Sequence, residues 1–255
     1  MLPLIVFPLH DADGLMFSHL ESITPQLKQH FAKAYISISP LTEQIQRQRV
    51  EQLQADLFFS LNFNAPETLV GDHFIAGYRN AALNCRPGQA VHLCTVDRVA
   101  YALQSHYQAQ FLADILAATD APRPTLFLRS EAAWKTHPQN YYEIEALGAR
   151  VGEMLLGKAF DFFWCHLVAQ GALLRPLLPT VRHHDLRILA EIILLLQGEL
   201  ETKPVDWLAW EDPFIFSRDP EQFKLEREQN PQENIKRLNY VLPVLQLLLD
   251  TANKS

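Results

Sequence analysis

Ala90-Val91-His92-Leu93-Cys94-Thr95-Val96-Asp97-Arg98 is the stretch on which the reading of the fold turns. It begins as an apolar run with β-branched residues, the composition of a strand buried on both faces. It ends on an acid and a base, with no turn residue before the helix-forming segment that starts at Val99. In open α/β sheets ligands bind in the crevice at the carboxyl ends of the strands, and Asp97 and Arg98 are expected at such a rim. An ordinary strand exit, with Asp97 capping the next helix and Arg98 solvated, is the competing reading.

The flanking sequence supplies the context. Leu4 to Phe7 is an apolar run closed by Pro8, which suits a central first strand, and the polar loop Leu9 to Gly14 follows it. An amphipathic helix is expected over Leu15 to Phe31, interrupted at Pro25, then a strand over Ala34 to Ser39. Ser39-Pro40 supplies a cap and a first-turn proline for a helix reaching Gln54. Leu57 to Phe63 is a third strand candidate, and Gly71 to Leu83 a helix ended by Pro87-Gly88. A β-α-β-α-β-α-β alternation of this kind builds a mostly parallel sheet with helices on both faces, an α/β, Rossmann-like architecture for residues 1 to about 130. After a helix over Val99 to Ala117 and a further strand, Thr125 to Arg129, the chain becomes helix-rich. Helices are expected over Tyr141–Leu156, Phe162–Leu174, Asp185–Leu196 and Glu233–Leu249. Val205 to Trp210 is a possible returning strand, and Lys224 to Gln232 reads as a solvated connection.

Composition narrows the chemistry. The 255 residues carry a formal net charge of -7 and no cluster of Lys and Arg, which argues against a nucleic-acid partner. The three cysteines, Cys85, Cys94 and Cys165, are scattered without a CxxC pair, as in a reduced cytoplasmic protein with no cysteine-rich zinc site. The ten histidines are dispersed, and His92 reads as a core residue. The opening Met1 to Pro8 is too short and lacks the basic flank of a signal peptide, and no apolar run is long enough to span a bilayer. Gly14 stands alone after the first strand, so neither a Walker loop nor a GxGxxG fingerprint is present, and there is no GxSxG elbow.

Several polar groups could meet at the rim. His10, Asp11 and Asp13 follow the first strand and could accept from a base or ribose, or simply form a turn and cap. Arg79, near Asp72 and Asn80, could clamp a phosphate or be a surface arginine. Arg129, Glu131, Trp134, Lys135 and His137 gather after the strand 125–129, where the aromatic could equally plug the core. Asp185, with His183, His184 and Glu191, heads the most apolar helix and suits its first turn. Glu211 and Asp212 follow Trp207 and Trp210, either as metal ligands or a general base, or as a proline-terminated strand end.

Taken together, these pieces resemble the GT-A fold of nucleotide-sugar glycosyltransferases, in outline nearest the mannosylglycerate-synthase type. Leu4 to Gly14 stands where that family places its first strand and nucleotide loop, and Ala90 to Asp97 where it places the strand ending in Asp-x-Asp. Thr95-Val96-Asp97 keeps the second acid of that motif and lacks the first. The resemblance implies a single domain over 1–255, with a nucleotide-binding half (1–130) and a helix-rich acceptor-side half (131–255). It implies transfer of a sugar from a nucleotide-diphosphate donor to a small hydroxyl acceptor, with a divalent cation (Mn or Mg) on Asp97. His10, Asp11, Arg79, Asp97, Arg98 and Arg129 would hold the donor, and Asp185, Glu211 and Asp212 are the candidate catalytic acids. The alternative is a non-catalytic nucleotide- or sugar-binding module, or an interaction module, on the same fold, with Trp134, Trp164, Trp207 and Trp210 lining a ligand groove or a partner interface.

Overall fold

Leu4–Leu9 forms β1 in the middle of a seven-stranded sheet, where both faces of the strand are covered. Ile5, Phe7 and Leu9 pack into one apolar core, and Leu4 and Val6 into the other. Burial on both faces is why the strand reads as a continuous apolar run rather than an alternating one. The computed structural model describes residues 1–163 and 166–254.

The other strands are β2 (Lys33–Ile38), β3 (Phe59–Phe63), β4 (Ala90–Leu93), β5 (Thr125–Arg129), β6 (Leu167–Gln170) and β7 (Glu201–Val205). Their order is β3-β2-β1-β4-β6-β5-β7. Every pairing is parallel except those of β6, which runs antiparallel to both β4 and β5. Helices fill the crossovers: α1 (Leu15–His30), α2 (Pro40–Ile45), α3 (Arg47–Ala55) and α4 (Val70–Asn84) in the first half. Next come α5 (Val96–Gln104), α6 (Gln108–Asp120), α7 (Glu131–Thr136) and α8 (Gln139–Leu156). The last group is α9 (Gly171–Leu177), α10 (Arg187–Leu196), α11 (Asp212–Ile215), α12 (Pro220–Gln229) and α13 (Pro231–Ala252).

The mostly parallel sheet with helices on both faces matches the architecture expected from the alternation. Local signals work as anticipated at several points. Ser39 Oγ accepts from the Thr42 N–H, and Pro40 opens α2. In α1 the buried residues Phe17, Leu20, Ile23 and Leu27 recur at helical spacing. Gly88 turns into β4 with φ +71°, a conformation that a side chain disfavours.

Four expectations are corrected. The segment read as a helix over Phe162–Leu174 contains the reversed strand β6, and helix begins only at Gly171. Leu167, Val168 and Ala169 are buried on both faces, and so short an apolar run has no period that separates strand from helix. The strand expected to reach Asp97 stops at Leu93, so Asp97 lies in the first turn of α5. The late strand is Glu201–Val205, followed by a 3-10 turn over Asp206–Leu208. The charged stretch from Lys224 continues α12 to Gln229, held to the body by the buried Phe223.

Candidate active site

The chain leaves β1 towards β2 on one side, and β4 lies against β1 on the other. Such a switch in strand order opens a crevice between adjacent loops at the carboxyl edge. β4 delivers Asp97 there through Cys94 and Thr95, with Thr95 in extended backbone before α5. The Asp97 carboxylate is half-buried and accepts from the Arg98 N–H at 2.8 Å. It is the second residue of α5, whose N-cap is Thr95, so it does not cap the helix as the competing reading had it, and it faces open space. Three cavities, of about 220, 260 and 210 Å³, all have Asp97 in their lining.

The 260 Å³ cavity is charged: Arg98, Arg129, Arg227, Lys236 and Arg237 line it with Glu211 and Asp212. Arg98 is buried, donates to the Ala209 carbonyl at 2.8 Å and pairs with the buried Glu211. Arg129 forks onto Asp161, with Nε and Nη2 at 2.6 and 2.8 Å from its two oxygens. Its Nη1 lies 2.8 Å from Glu145, and its guanidinium stacks on Trp134 at 3.4 Å. Glu145 also meets Arg237 at 2.7 Å. Burial pushes the Glu145 carboxyl up, but Arg129 and Arg237 outweigh it and hold the group below its ordinary range. Tyr141 Oη donates to Glu233 at 2.7 Å, Glu233 pairs with Arg227, and Arg227 stands 3.8 Å from Asp212. Charges buried this deeply persist only when paired and hydrogen-bonded.

The 210 Å³ cavity lies over the ends of β1 and β4, with His10, His73 and Phe74 in its wall. Asn64 Nδ2 donates to His73 Nδ1 at 2.8 Å, which leaves the proton of the neutral ring on Nε2. Burial pushes the His73 imidazole down to about 4.

Of the residues expected at the site, Asp97, Arg98, Arg129, Glu211 and Asp212 share the charged cavity. Residues from both halves of the chain build it, with Tyr141, Arg227 and Arg237 joining from beyond position 130. His10 lies at the rim of the 210 Å³ cavity, its Nδ1 2.9 Å from Ser39 Oγ. Asp11 is turned inward: its carboxylate accepts from the Phe17 N–H at 2.8 Å, and its own N–H donates to Thr42 Oγ1 at 2.7 Å. That makes it a brace for the start of α1. Burial raises its pKa against the pull of the Phe17 N–H. Arg79 lies beyond the rim on the body of α4, exposed, and donates to the Leu178 carbonyl at 3.1 Å. Asp185 lies outside the linings of all three Asp97 cavities, although its neighbour Leu186 is in one. Arg187 grips its carboxylate at 2.7 to 3.0 Å, and these hydrogen bonds lower its pKa. Trp207 is buried in the core, Trp210 lines the 260 Å³ cavity, and Trp134 both covers Arg129 and lines a separate cavity of about 530 Å³. Trp164 and Cys165 fall outside the described residues.

Glu145, Asp161, Arg227 and Arg237 were not anticipated. One signal for them existed: the buried stripe of α8 is Tyr141, Glu145, Gly148 and Gly152, so an acid occupies a core position of an amphipathic helix.

Among the described residues no group of three or more His, Cys, Asp or Glu is placed to hold a metal ion. Mg²⁺ often binds through one or two carboxylates plus substrate phosphates. Asp97 and Asp212, on one cavity wall, are the residues that could serve in that way.

No protein-family model matches the chain, and no curated protein matches it. Among solved structures, it is similar to a 4-diphosphocytidyl-2C-methyl-D-erythritol synthase from Anaerococcus prevotii DSM 20548, at 8% identity and a TM-score of 0.49. The likeness covers 87% of this chain and 98% of that one. An identity this low assigns no chemistry. Among the described residues no helix is long and apolar enough to cross a membrane.

Proposed function

We propose that this chain transfers a sugar from a nucleoside-diphosphate donor to a hydroxyl acceptor at the carboxyl-edge crevice. The observation that carries the reading is the position of Asp97, at the switch between β1 and β4 and in the lining of both a charged and an apolar cavity. The charged cavity suits the diphosphate, because Lys236 and the arginines place positive charge where negative charge develops on the leaving group. In the step, the bond from the sugar carbon to the diphosphate oxygen breaks and its electron pair leaves on that oxygen. The acceptor oxygen bonds to the same carbon, and its proton passes to a carboxylate. Asp212 is the better candidate for that proton: it lines the cavity, whereas Arg187 occupies Asp185 and Arg98 occupies Glu211. Asp97 would hold a divalent ion if one binds with the donor, supplying further charge to the diphosphate.

One observation favours the non-catalytic reading on the same fold: Arg98 and Arg129 are already neutralised by Glu211, Asp161 and Glu145. Nucleotide would then bind without turnover. The test is a thermal-shift titration with UDP- and GDP-sugars, with and without Mn²⁺, joined to an assay for released nucleoside diphosphate. A donor at 100 times its Kd stabilises by ~2.7 kcal/mol, and Asp97→Asn abolishes that gain. Binding without release supports the module. No stabilisation by any nucleotide refutes both readings.

A further inference from the structure

α8 and α13 lie side by side and run in the same direction. Asn140 Nδ2 donates to Asn234 at 2.6 Å and Tyr141 Oη to Glu233 at 2.7 Å, and further along both helices Arg237 donates to Glu145 at 2.7 Å. On its inward side the pair brings Glu145 and Arg237 to the wall of the 220 Å³ cavity. Its outward side is apolar and uncovered.

α13 presents Ile235, Leu238, Leu242 and Leu249 to solvent, each 40 to 57% exposed. With the half-buried Leu245 among them, they recur at steps of three and four residues. That is the 3.5-residue seam along which one helix packs on another, narrower than the stripe of a helix lying on a core. The stripe that faces this protein's core is a different one, Glu233, Val241, Val244 and Leu248. At about 100° per residue, the seam stands roughly 110° around α13 from the residues that meet α8, and Leu147 and Met154 stand as far around α8 in the opposite sense. For two helices running in the same direction, opposite senses mean the same side. Leu147 is 40% exposed and Met154 84%, so the two helices share one outer apolar face.

Two features decide what covers it. The first is area. These six side chains expose as much surface as three whole ones, on the order of 500 Å², near the top of the range for the largest apolar patch on a monomer. A homodimer interface of standard size buries ~800 Å² per partner, about 65% of it apolar, which comes to the same ~500 Å². The second is charge. The ridge of α13 next to the seam is Asn239, Gln246 and Asn253, amides throughout. A second copy of this face meets it without setting like charges together, and amides both donate and accept across a twofold axis. An anionic lipid surface would call for Lys and Arg along that ridge, and the chain's net charge is -7.

We propose that the outer face of α8 and α13 is the interface of a symmetric homodimer, the 235–249 seam of one copy packed on the same seam of the other with Met154 closing its edge. The assignment stands apart from the sugar-transfer reading and needs no nucleotide.

The test is sedimentation equilibrium of the full-length protein over a wide range of micromolar concentrations, joined to thermal melts at the same concentrations. The native chain is expected at twice its 29.2 kDa mass, with a Tm that rises with concentration. Leu242→Glu, in the middle of the seam, is expected to halve the mass and abolish that rise while the circular dichroism stays native. Met154→Glu, from the other helix, is expected to weaken dimerisation at least tenfold, and it carries the test if the first variant does not fold. Leu57→Glu changes a leucine that is 91% exposed outside these helices, and it should leave the dimer intact. A native chain that stays monomeric throughout, a dimer that neither seam variant loosens, equal loosening by Leu57→Glu, or open-ended association overturns the proposal. A monomer that pellets with phosphatidylcholine–phosphatidylserine vesicles overturns it in favour of a membrane surface.

Discussion

Replacing Arg129 by methionine removes one guanidinium and little volume, so it isolates the charge at the centre of the site. In the native chain the Arg129 side chain is 1% exposed, with Glu145 at 4% and Asp161 at 8%. The substitution strands Asp161 without its bidentate partner and leaves Glu145 with Arg237 alone. Breaking a buried pair from one side costs ~3–5 kcal/mol, because the surviving charge has lost both water and partner. Loss of the stacking on Trp134 adds to this, at about 0.5–2 kcal/mol. For a chain of this size each kcal/mol moves Tm by ~2–4 °C, so the ion-pair loss alone predicts a drop of ~6–20 °C. Urea denaturation followed by tryptophan fluorescence measures the free energy, and calorimetry the midpoint. The double variant R129M/D161N should recover part of the loss, since it also removes the stranded carboxylate. A loss below ~1 kcal/mol for R129M, or a double variant no better than the single one, refutes the claim that this cluster is held by buried charge pairing.

Other consequences concern pH and packing. Burial pushes His92 down to about 3 and His73 down to about 4, and holds His166 and His137 well below their ordinary range. The unfolded chain therefore binds protons that the folded one refuses, and stability should begin to fall below pH ~6.5, at up to ~1.36 kcal/mol per pH unit for each group. His92→Leu should remove one such group, opening a gap over the native chain of about 2 kcal/mol by pH 5 in denaturation curves measured across pH. An unchanged slope would count against neutral burial of His92. Glu145 has the opposite dependence: its lowered pKa adds stability above its ordinary value near 4.5, and that stability disappears as pH falls through the folded value. Glu145→Gln should thus cost ~3–5 kcal/mol at pH 7 and less near pH 3, and a pH-independent penalty would point to packing instead. Gly71→Ala would set a Cβ 2.5 Å from the backbone of His184, which cannot swing aside. A loss of ~1–3 kcal/mol by urea titration is expected, and a neutral outcome would mean that the loop before α10 adjusts freely.

The first half of the chain declared its fold because its strands are short runs rich in apolar residues that alternate with helical stretches, with turn and cap signals at some of the junctions. Ser39-Pro40 and Pro87-Gly88 act as those signals locally, so tertiary context was not needed to see them. β6 was hidden because three consecutive buried apolar residues carry no periodicity, and its reversed direction depends on pairing with β4 and β5. At the site, residues attached directly to strand ends were legible: Asp97 and Arg98 after β4, Arg129 at the end of β5. Arg79 failed because α4 carries it away from the rim, and Asp185 because Arg187, two residues on, occupies its carboxylate. Glu145 and Arg237 reach the crevice through the packing of α8 on α13, and Arg227 from α12 just before α13, an arrangement that no local pattern states.

The reversal of β6 has a consequence for how such a protein can change its tastes. A parallel strand presents its exit to the carboxyl edge, whereas this one presents its entry, so the chain that precedes β6 brings Phe162 and Phe163 to the wall of the 220 Å³ cavity. Residues added to or removed from that approach would alter which molecules fit while the ladder from Leu167 onwards kept its register with β4. Changes at Phe162 and Phe163 would leave the lining of the charged cavity around Arg98 and Arg129 untouched.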